Sequence, residues 1–273
     1  MMRSVLLAAA IWCLAFPIAA SAATLGTESD GQLVYRAAPR EINDLTARES
    51  FDGGYPWYRT LVFTEAAAVV SVGDGCMAGP PLACELRSTD AHLGDRGDRA
   101  RVLVDAFRTS RVWGEAGDDT VYAGGGEAYA YGGPGDDTVG AGAHGSAIGY
   151  GGPGNDTVTA FQGAFTIVHG NAGADALNAS GLNARASGGG GPDVLVLSGS
   201  GRAEGGRGDD RIDAVGFGPL PWRIDGGPGD DTIAVTSDGA DLVTCGPGND
   251  TVTASGDDVI ADDCETVSRD GAA

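Results

Sequence analysis

The chain has 273 residues and a formal net charge of −21, which excludes the broad basic surface that nucleic-acid phosphates need. Glycine supplies 47 residues without the every-third spacing of collagen, and aromatic residues make up only 7% of the chain. This composition leaves either disorder or a repetitive fold that needs glycine at fixed backbone positions.

The first 22 residues have the layout of a secretory signal peptide. Arg3 gives a positive start, an apolar run extends from Val5 to Phe16, and Ala20, Ser21 and Ala22 form a small-residue cleavage site. The run is too short to cross a bilayer, and no later segment is long and apolar enough to do so. We therefore expect a secreted, extracellular protein without a membrane span; the alternative is a retained N-terminal anchor.

Residues 23–112 contain no clean repeat, and we expect them to form an N-terminal β-rich cap region. The alternating run Tyr58 to Phe63 predicts strands that begin a sheet. The stretch Gly94 to Arg99 is interpreted as a decayed repeat, with arginine in the place of an aspartate.

Four cysteines follow the signal peptide: Cys76, Cys84, Cys245 and Cys264. An even number in an exported chain indicates disulfides, and sequence alone allows three pairings. Their grouping along the chain favours the local pairs Cys76–Cys84 and Cys245–Cys264. Zinc binding is the weaker alternative, because no CxxC spacing occurs.

A nine-residue pattern, GGxGxDxUx with U a large apolar residue, repeats from residue 113 to residue 267. Three copies match it closely: Gly132–Gly140, Gly151–Thr159 and Gly226–Ala234. Looser copies begin at Gly114, Gly170, Gly188, Gly205 and Cys245, so that successive copies start 17 to 21 residues apart. This spacing is about twice nine, and a degenerate half-repeat with an apolar residue lies between most copies.

Each nonapeptide is predicted to form a glycine-rich turn and a short strand whose apolar residue points inward. Two nonapeptides would complete one turn of a flattened right-handed coil, and stacked turns would bury a thin core between two parallel sheets. We therefore predict an all-β fold: a right-handed parallel β-roll (β-solenoid) of about eight turns over residues 113–267, followed by a tail at 268–273. The segment Phe217 to Trp222 is expected to bulge out as an inserted loop.

The sixth position of every copy is an aspartate, and one coil turn between copies would align these aspartates along one edge. They are Asp119, Asp137, Asp156, Asp175, Asp193, Asp210, Asp231 and Asp250. Carboxylates stacked about 5 Å apart repel one another, so a counter-charge is needed. Calcium fits, because it accepts carboxylate and carbonyl oxygens in a flexible shell. The neighbouring Asp118, Asp136, Asp209 and Asp230 are expected to be solvated.

These repeats resemble the haemolysin-type (RTX) calcium-binding repeats over about Gly114 to Thr253. The resemblance implies calcium ions between adjacent turns, held by the sixth-position aspartates and by carbonyls of the first four positions. Eight turns on one edge would hold at most seven such ions, and folding would be coupled to their binding. The chain departs from the family pattern in two ways: we expect aspartates on one edge only, and the predicted secretion signal is N-terminal, which argues against a toxin.

We predict that the chain is a binding or structural module and not an enzyme. It contains neither an HExxH zinc motif nor a GxSxG nucleophile motif. Of its three histidines, His92, His144 and His169, the last two are expected at exposed turn positions. Besides calcium ions, an extracellular polysaccharide or a cell surface is a candidate partner. The alternatives are a polysaccharide-modifying enzyme, a surface adhesin and a calcium-free solenoid whose aspartates only cap turns.

Overall fold

A computed structural model describes residues 23–27, 32–51, 59–65, 71–72, 76–77, 82–85, 88–104, 107–216, 220–237 and 239–269. The predicted signal peptide lies outside these ranges. All regular structure within them is β, and they contain no helix long and apolar enough to cross a membrane.

Twenty-five strands follow one another through these residues. The first ten are β1 Thr24–Thr27, β2 Leu33–Arg36, β3 Asp44–Phe51, β4 Arg59–Glu65, β5 Ser71–Val72, β6 Cys76–Met77, β7 Leu82–Glu85, β8 Ser88–His92, β9 Arg99–Leu103 and β10 Thr109–Trp113. The next eight are β11 Thr120–Gly125, β12 Glu127–Tyr131, β13 Thr138–Ala143, β14 Ser146–Pro153, β15 Thr157–Phe161, β16 Phe165–Ala172, β17 Ala176–Gly190 and β18 Val194–Arg207. The last seven are β19 Arg211–Val215, β20 Trp222–Asp225, β21 Thr232–Thr236, β22 Leu242–Thr244, β23 Thr251–Ala254, β24 Val259–Ile260 and β25 Thr266–Arg269.

Each strand of the coil pairs in parallel with the strand one full turn later, which produces two ladders. The first sheet contains β3, β9, β11, β13, β15, β17, β18, β19, β21, β23 and β25. The second sheet contains β2, β8, β10, β12, β14, β16, β17, β18, β20, β22 and β24. The long strands β17 and β18 belong to both sheets. The result is a parallel β-solenoid of about 9 turns, which confirms the predicted β-roll.

The N-terminal region adds antiparallel strands to the beginning of the coil. Strand β1 pairs antiparallel with β2, and β4 lies antiparallel between β3 and β7. Because β2 and β3 also pair in parallel with β8 and β9, the parallel ladders begin well before residue 113. The backbone register sets Cys76 opposite Cys84, but the side chains of this predicted pair lie outside the described part of the structure.

The core is one continuous cluster of side chains enclosed between the two sheets. The eighth-position residues of the copies all point inward and are buried: Val121, Val139, Val158, Leu177, Leu195, Ile212, Ile233 and Val252. Many of the other inward positions carry alanine, for example Ala123 and Ala130, so the two sheets approach closely. Each turn therefore buries its apolar residues mainly against the turns above and below it.

The prediction of an inserted loop at Phe217 to Trp222 is wrong at its C-terminal end. Trp222 begins β20 and is fully buried, and it lies in register beside Gly201 of the preceding turn. Leu220 is exposed, as expected of a loop, while residues 217–219 lie outside the described ranges.

The C-terminal end of the coil is closed by a covalent bond and by an arginine. Cys245 and Cys264 form a disulfide with their Cα atoms 5.2 Å apart, which confirms the predicted pair. The Arg269 guanidinium crosses the end of the roll and donates hydrogen bonds to the carbonyl oxygens of Ser255, at 2.7 Å, and Asp258, at 3.2 Å. These contacts satisfy carbonyls that no further turn covers within the described residues.

Five aromatic rings stack in a column on the outer face of the second sheet. They belong, in order, to His92, Trp113, Tyr131, Tyr150 and His169, with centroids 4.4 to 5.4 Å apart and nearly parallel planes. The expectation that His169 occupies an exposed turn is therefore wrong, because it lies in β16 and is partly buried against Tyr150. His144 does lie exposed in a turn, as expected.

The fourth-position glycines are predicted to tolerate no side chain. Gly154 has φ +143°, and a Cβ there would lie closer than 3.0 Å to the Gly135 carbonyl oxygen of the preceding turn. We expect Gly154→Ala to lower the free energy of unfolding by about 2 kcal/mol or more, from left-handed strain and steric clash together. Gly256→Ala is the control, because a Cβ there meets nothing within 4 Å. Equal melting temperatures for the two variants would contradict this expectation.

Candidate metal centre

The eight predicted aspartates form one continuous hydrogen-bonded column along the edge that leads into the first sheet. Each is buried, and the backbone N–H of each except Asp250 donates to the Oδ1 atom of the aspartate one turn later. From Asp119 to Asp250 the donor–acceptor distances are 2.7 to 2.8 Å. The parallel register of the turns creates this arrangement, because the sixth position directly precedes each strand of the first sheet.

The column is longer than the sequence predicted. Asp98 is buried and donates its N–H to Oδ1 of Asp119, so the decayed repeat does contain the aspartate and its frame starts at Leu93. The assignment of arginine to that position is therefore wrong. Ahead of it, the N–H of buried Asn43 donates to Oδ1 of Asp98. At the other end, the Asp250 N–H donates to the Glu265 carboxylate.

The second oxygen of each aspartate, Oδ2, is buried and has no hydrogen-bond partner. This holds for the eight predicted aspartates Asp119, Asp137, Asp156, Asp175, Asp193, Asp210, Asp231 and Asp250. A buried carboxylate oxygen without a partner is costly, and a row of them is costlier still. The same atom is unsatisfied in turn after turn, which indicates a ligand that the protein atoms alone do not supply.

Glycine at the first position of the repeat allows these oxygens to approach the backbone closely. A Cβ placed on Gly132 would lie closer than 3.0 Å both to Asp137 Oδ2 and to the carbonyl oxygen of Gly151 in the next turn. A corresponding pair of oxygens flanks Gly114, Gly170, Gly188, Gly205 and Gly226. A carboxylate and a carbonyl oxygen thus converge on each of these glycines, and this donor set is the one that a hard cation such as calcium prefers.

Burial also makes the aspartates of the column unusually weak acids. Removal from water raises the pKa of Asp119 and of Asp210 to about 7, although hydrogen bonds from the backbone N–H groups partly offset this effect. The same cause raises the pKa values of Asp137, Asp156, Asp193 and Asp231 to about 6. Without a bound cation, these carboxylates therefore take up protons at a higher pH than an exposed aspartate does.

The raised pKa values predict that acid stabilises the calcium-free roll. The folded-state pKa values of about 6 to 7 lie above the ordinary value of 3.8, so stability is greatest at low pH and is lost as the pH rises through this window. We expect a chelated sample to melt at a higher temperature at pH 5 than at pH 8. Circular dichroism melts at the two pH values test this, and a higher melting temperature at pH 8 would refute it.

The expectation that only one edge keeps its aspartates is wrong at the C-terminal turns. Asp241 and Asp258 are buried on the opposite edge, where Asp241 Oδ1 accepts from the Trp222 N–H and Asp258 Oδ1 accepts from the Asp241 N–H. Here, however, Oδ2 is satisfied by hydroxyl groups: Ser237 donates to Asp241 at 2.6 Å, and Ser255 donates to Asp258 at 2.9 Å. These two aspartates cap their turns without needing a cation.

The fifth-position acids form a second, exposed row beside the buried column. Asp118, Asp136, Asp209 and Asp230 all face solvent, as expected. The row is nevertheless ordered, because the Asp136 N–H donates to Asp118 Oδ1 at 3.0 Å and the Asp230 N–H donates to Asp209 Oδ1 at 2.9 Å. These carboxylates remain hydrated, so nothing in their surroundings requires a cation.

A scan against protein-family models matches the RTX calcium-binding nonapeptide repeat in four copies, at residues 113–143, 145–164, 223–237 and 235–261. In these segments, which make up about a third of the chain, the sequence is similar to RTX calcium-binding repeats. No curated protein and no solved structure matches the chain. The RTX matches leave out residues 165–222, yet Asp175, Asp193 and Asp210 in that segment continue the column with the same hydrogen bonds. The hydrogen-bonded aspartate column thus continues through turns that the family model does not match.

Side chains alone do not provide a complete coordination shell along the described part of the column. Within the described residues, no group of three or more His, Cys, Asp or Glu side chains converges on one point. A cation on the aspartate column would therefore take one or two carboxylate oxygens and complete its shell of about six to eight ligands with carbonyls and water. The glycine-rich turns supply those carbonyls.

Proposed function

We propose that this protein is a secreted calcium-binding β-roll whose folding is coupled to calcium, and that it acts as a binding or structural module. The unpartnered Oδ2 atoms of the buried aspartate column are the observation that carries this proposal. Each one is an ionisable oxygen, and in most turns a backbone carbonyl oxygen of the next turn lies close to the same glycine, which suits a hard divalent cation. RTX repeats of the matched type are calcium-binding, which supports the choice of ion.

The eight predicted aspartates remain the proposed ligands, but the geometry suggests that their turns are not equivalent. Seven of them belong to turns with glycine at the first position: Asp119, Asp137, Asp156, Asp175, Asp193, Asp210 and Asp231. At Asp250 the first position is Cys245, and at Asp98 it is buried Leu93, so a side chain occupies the corresponding point. We therefore propose up to seven ions, with Asp250 contributing to the last of them from the turn below.

Counting the bound ions tests this assignment directly. Native mass spectrometry of the calcium-loaded full chain should show several ions per molecule and at most seven. The variant Gly170→Ala, which places a methyl group against Asp175 Oδ2, should lose one ion and keep the others. A chain that binds no calcium, or a variant that keeps the full number, would contradict the proposed sites.

The coupling to folding would suit export of an unfolded chain. Calcium binding stabilises only the folded state, and the free energy gained rises with the calcium concentration. The predicted signal peptide and the disulfide between Cys245 and Cys264 both fit an oxidising, calcium-rich exterior. In that setting the roll would serve as a rigid support, and its outer faces would be available for partners.

A further inference from the structure

The outer face of the second sheet carries stacked aromatic side chains in its first half and a row of arginines in its second half. After the aromatic column ends, the parallel register sets Arg185 beside Arg202 and Arg202 beside Arg223 on three successive strands. Neighbouring strands are about 4.8 Å apart, and like charges directly opposite one another are destabilising. A row of three arginines in a chain with a net charge of −21 is therefore a costly arrangement that folding alone does not explain.

Nearby acids neutralise this row only in part. Arg202 forms an ion pair with Glu204 at 2.5 Å, but both side chains are about half exposed, so the pair is weak. Asp225 lies in the column next to the arginines, in register with Glu204. Among the described residues, neither Arg185 nor Arg223 has an ion-pair partner. Two guanidinium groups are thus free to bind an anion from solution.

The arginine row borders an open groove of about 520 Å³. Phe165, Ile167 and His169 line its other end, and Phe165 is 54% exposed. The groove therefore combines a line of cations with an apolar patch. The rings of the aromatic column itself cover one another's faces, so Phe165 is better placed than they are to offer an open ring face to a ligand.

We propose that this arginine groove binds an acidic polysaccharide, a sugar chain that carries carboxylates at regular intervals. Guanidinium groups bind carboxylates in a bidentate manner, and a straight row of them suits an extended chain with repeated charges. Phe165 and Ile167 fit the apolar C–H faces of sugar rings. A nucleic acid fits less well, because its dense phosphate charge is repelled by the rest of this acidic surface.

The proposal goes beyond calcium binding and does not depend on it, apart from the need for a folded roll. The test uses the calcium-loaded full chain, with its fold checked by circular dichroism, and isothermal titration with a galacturonate hexamer. The fully methyl-esterified hexamer is the neutral ligand control. The variant R185Q/R202Q/R223Q is compared with R99Q/R101Q/R211Q, which removes the same charge from exposed positions on the first sheet.

We expect the wild type to bind the acidic hexamer and not its ester. The groove variant should lose about fivefold in affinity for each arginine, on the order of 100-fold together, and the control variant should bind within about twofold of the wild type. The groove variant should melt no lower than the wild type, because removing the in-register charges relieves repulsion. Failure of the folded wild type to bind, equal losses in both variants, or tighter binding of an oligothymidylate would overturn the proposal.

Discussion

Removing calcium at neutral pH is expected to unfold most of the roll. The eight predicted aspartates lie buried one above another, and each presents an oxygen without a hydrogen-bond partner. At pH 7.5 most of these groups would have to ionise inside the protein, where both desolvation and mutual repulsion oppose the charge. The apolar core does little to offset this cost, because it is a thin layer between the two sheets and many of its side chains are alanine.

Far-ultraviolet circular dichroism during a calcium titration of the chelated chain measures this effect. We expect a cooperative rise of the β signal between sub-millimolar and millimolar calcium, since each turn needs its neighbours and one ion therefore favours the next. Magnesium at the same concentration should be much less effective, because it demands a smaller octahedral shell and dehydrates reluctantly. A chelated sample with the full β signal at pH 7.5 would show instead that the roll is preformed.

Loss of structure should also be uneven along the chain. The turns between His92 and His169 share the stacked aromatic column, and the last turns share the Cys245–Cys264 disulfide. The segment around Asp193 and Asp210 has neither support. Hydrogen exchange of the chelated protein should therefore be fastest in that central segment.

The glycine and aspartate spacing was sufficient to predict the architecture. A fixed period near 18 residues determines which strands pair, which residues point inward, and which carboxylates share an edge. Val139 and Val158, for example, are register partners in the core, as their equal places in the repeat require. Strand pairing and inward positions can be predicted from a repeat because every turn has nearly the same geometry.

The sequence predictions were wrong at positions where the residue type differs from the one that the repeat pattern has there. Leu93 stands where the repeat has glycine, which shifted the apparent frame and concealed Asp98. Trp222 follows two prolines, a pattern typical of a loop, although it pairs in register with Gly201 of the previous turn and is fully buried. Asp241 lies in a degenerate half-repeat, where the Ser237 hydroxyl donates a hydrogen bond to its Oδ2 atom, so that no ion is needed. Each of these positions depends on its pairing with a neighbouring turn, which the pattern of a single repeat does not predict.

The aromatic column and the arginine row were missed for a similar reason. Their members are separated by 17 to 21 residues, and no local pattern distinguishes them from other outward-facing residues. Only the exact length of each turn decides that Tyr131 stacks on Tyr150, or that Arg202 lies beside Arg223. The sequence could predict the scaffold and its candidate metal-binding edge, whereas the arrangement of side chains on the outer faces could be found only from the strand register.

Neutralising the buried column while preserving its hydrogen bonds should separate calcium binding from folding. In the variant D137N/D210N/D231N, each asparagine Oδ1 can still accept the N–H of the preceding turn, as the aspartate does. The missing charge should raise the calcium midpoint by about tenfold or more, because affinity follows the charge of the ligand set. The same variant without calcium should be more stable than the wild type at pH 8, since three buried carboxylates with raised pKa values no longer ionise.

The adjacent exposed row provides a matched control for this variant. D136N/D209N/D230N makes the same chemical change one residue away in the same three turns, on carboxylates that remain hydrated. It should leave both the calcium midpoint and the calcium-free melting temperature nearly unchanged, because exposed charges contribute little. If the two triple variants shifted the midpoint equally, calcium would be acting on the acidic surface as a whole. If only the buried variant shifted it, the unpartnered Oδ2 atoms would be the ligands, and the aspartate column would be the element that links calcium to folding.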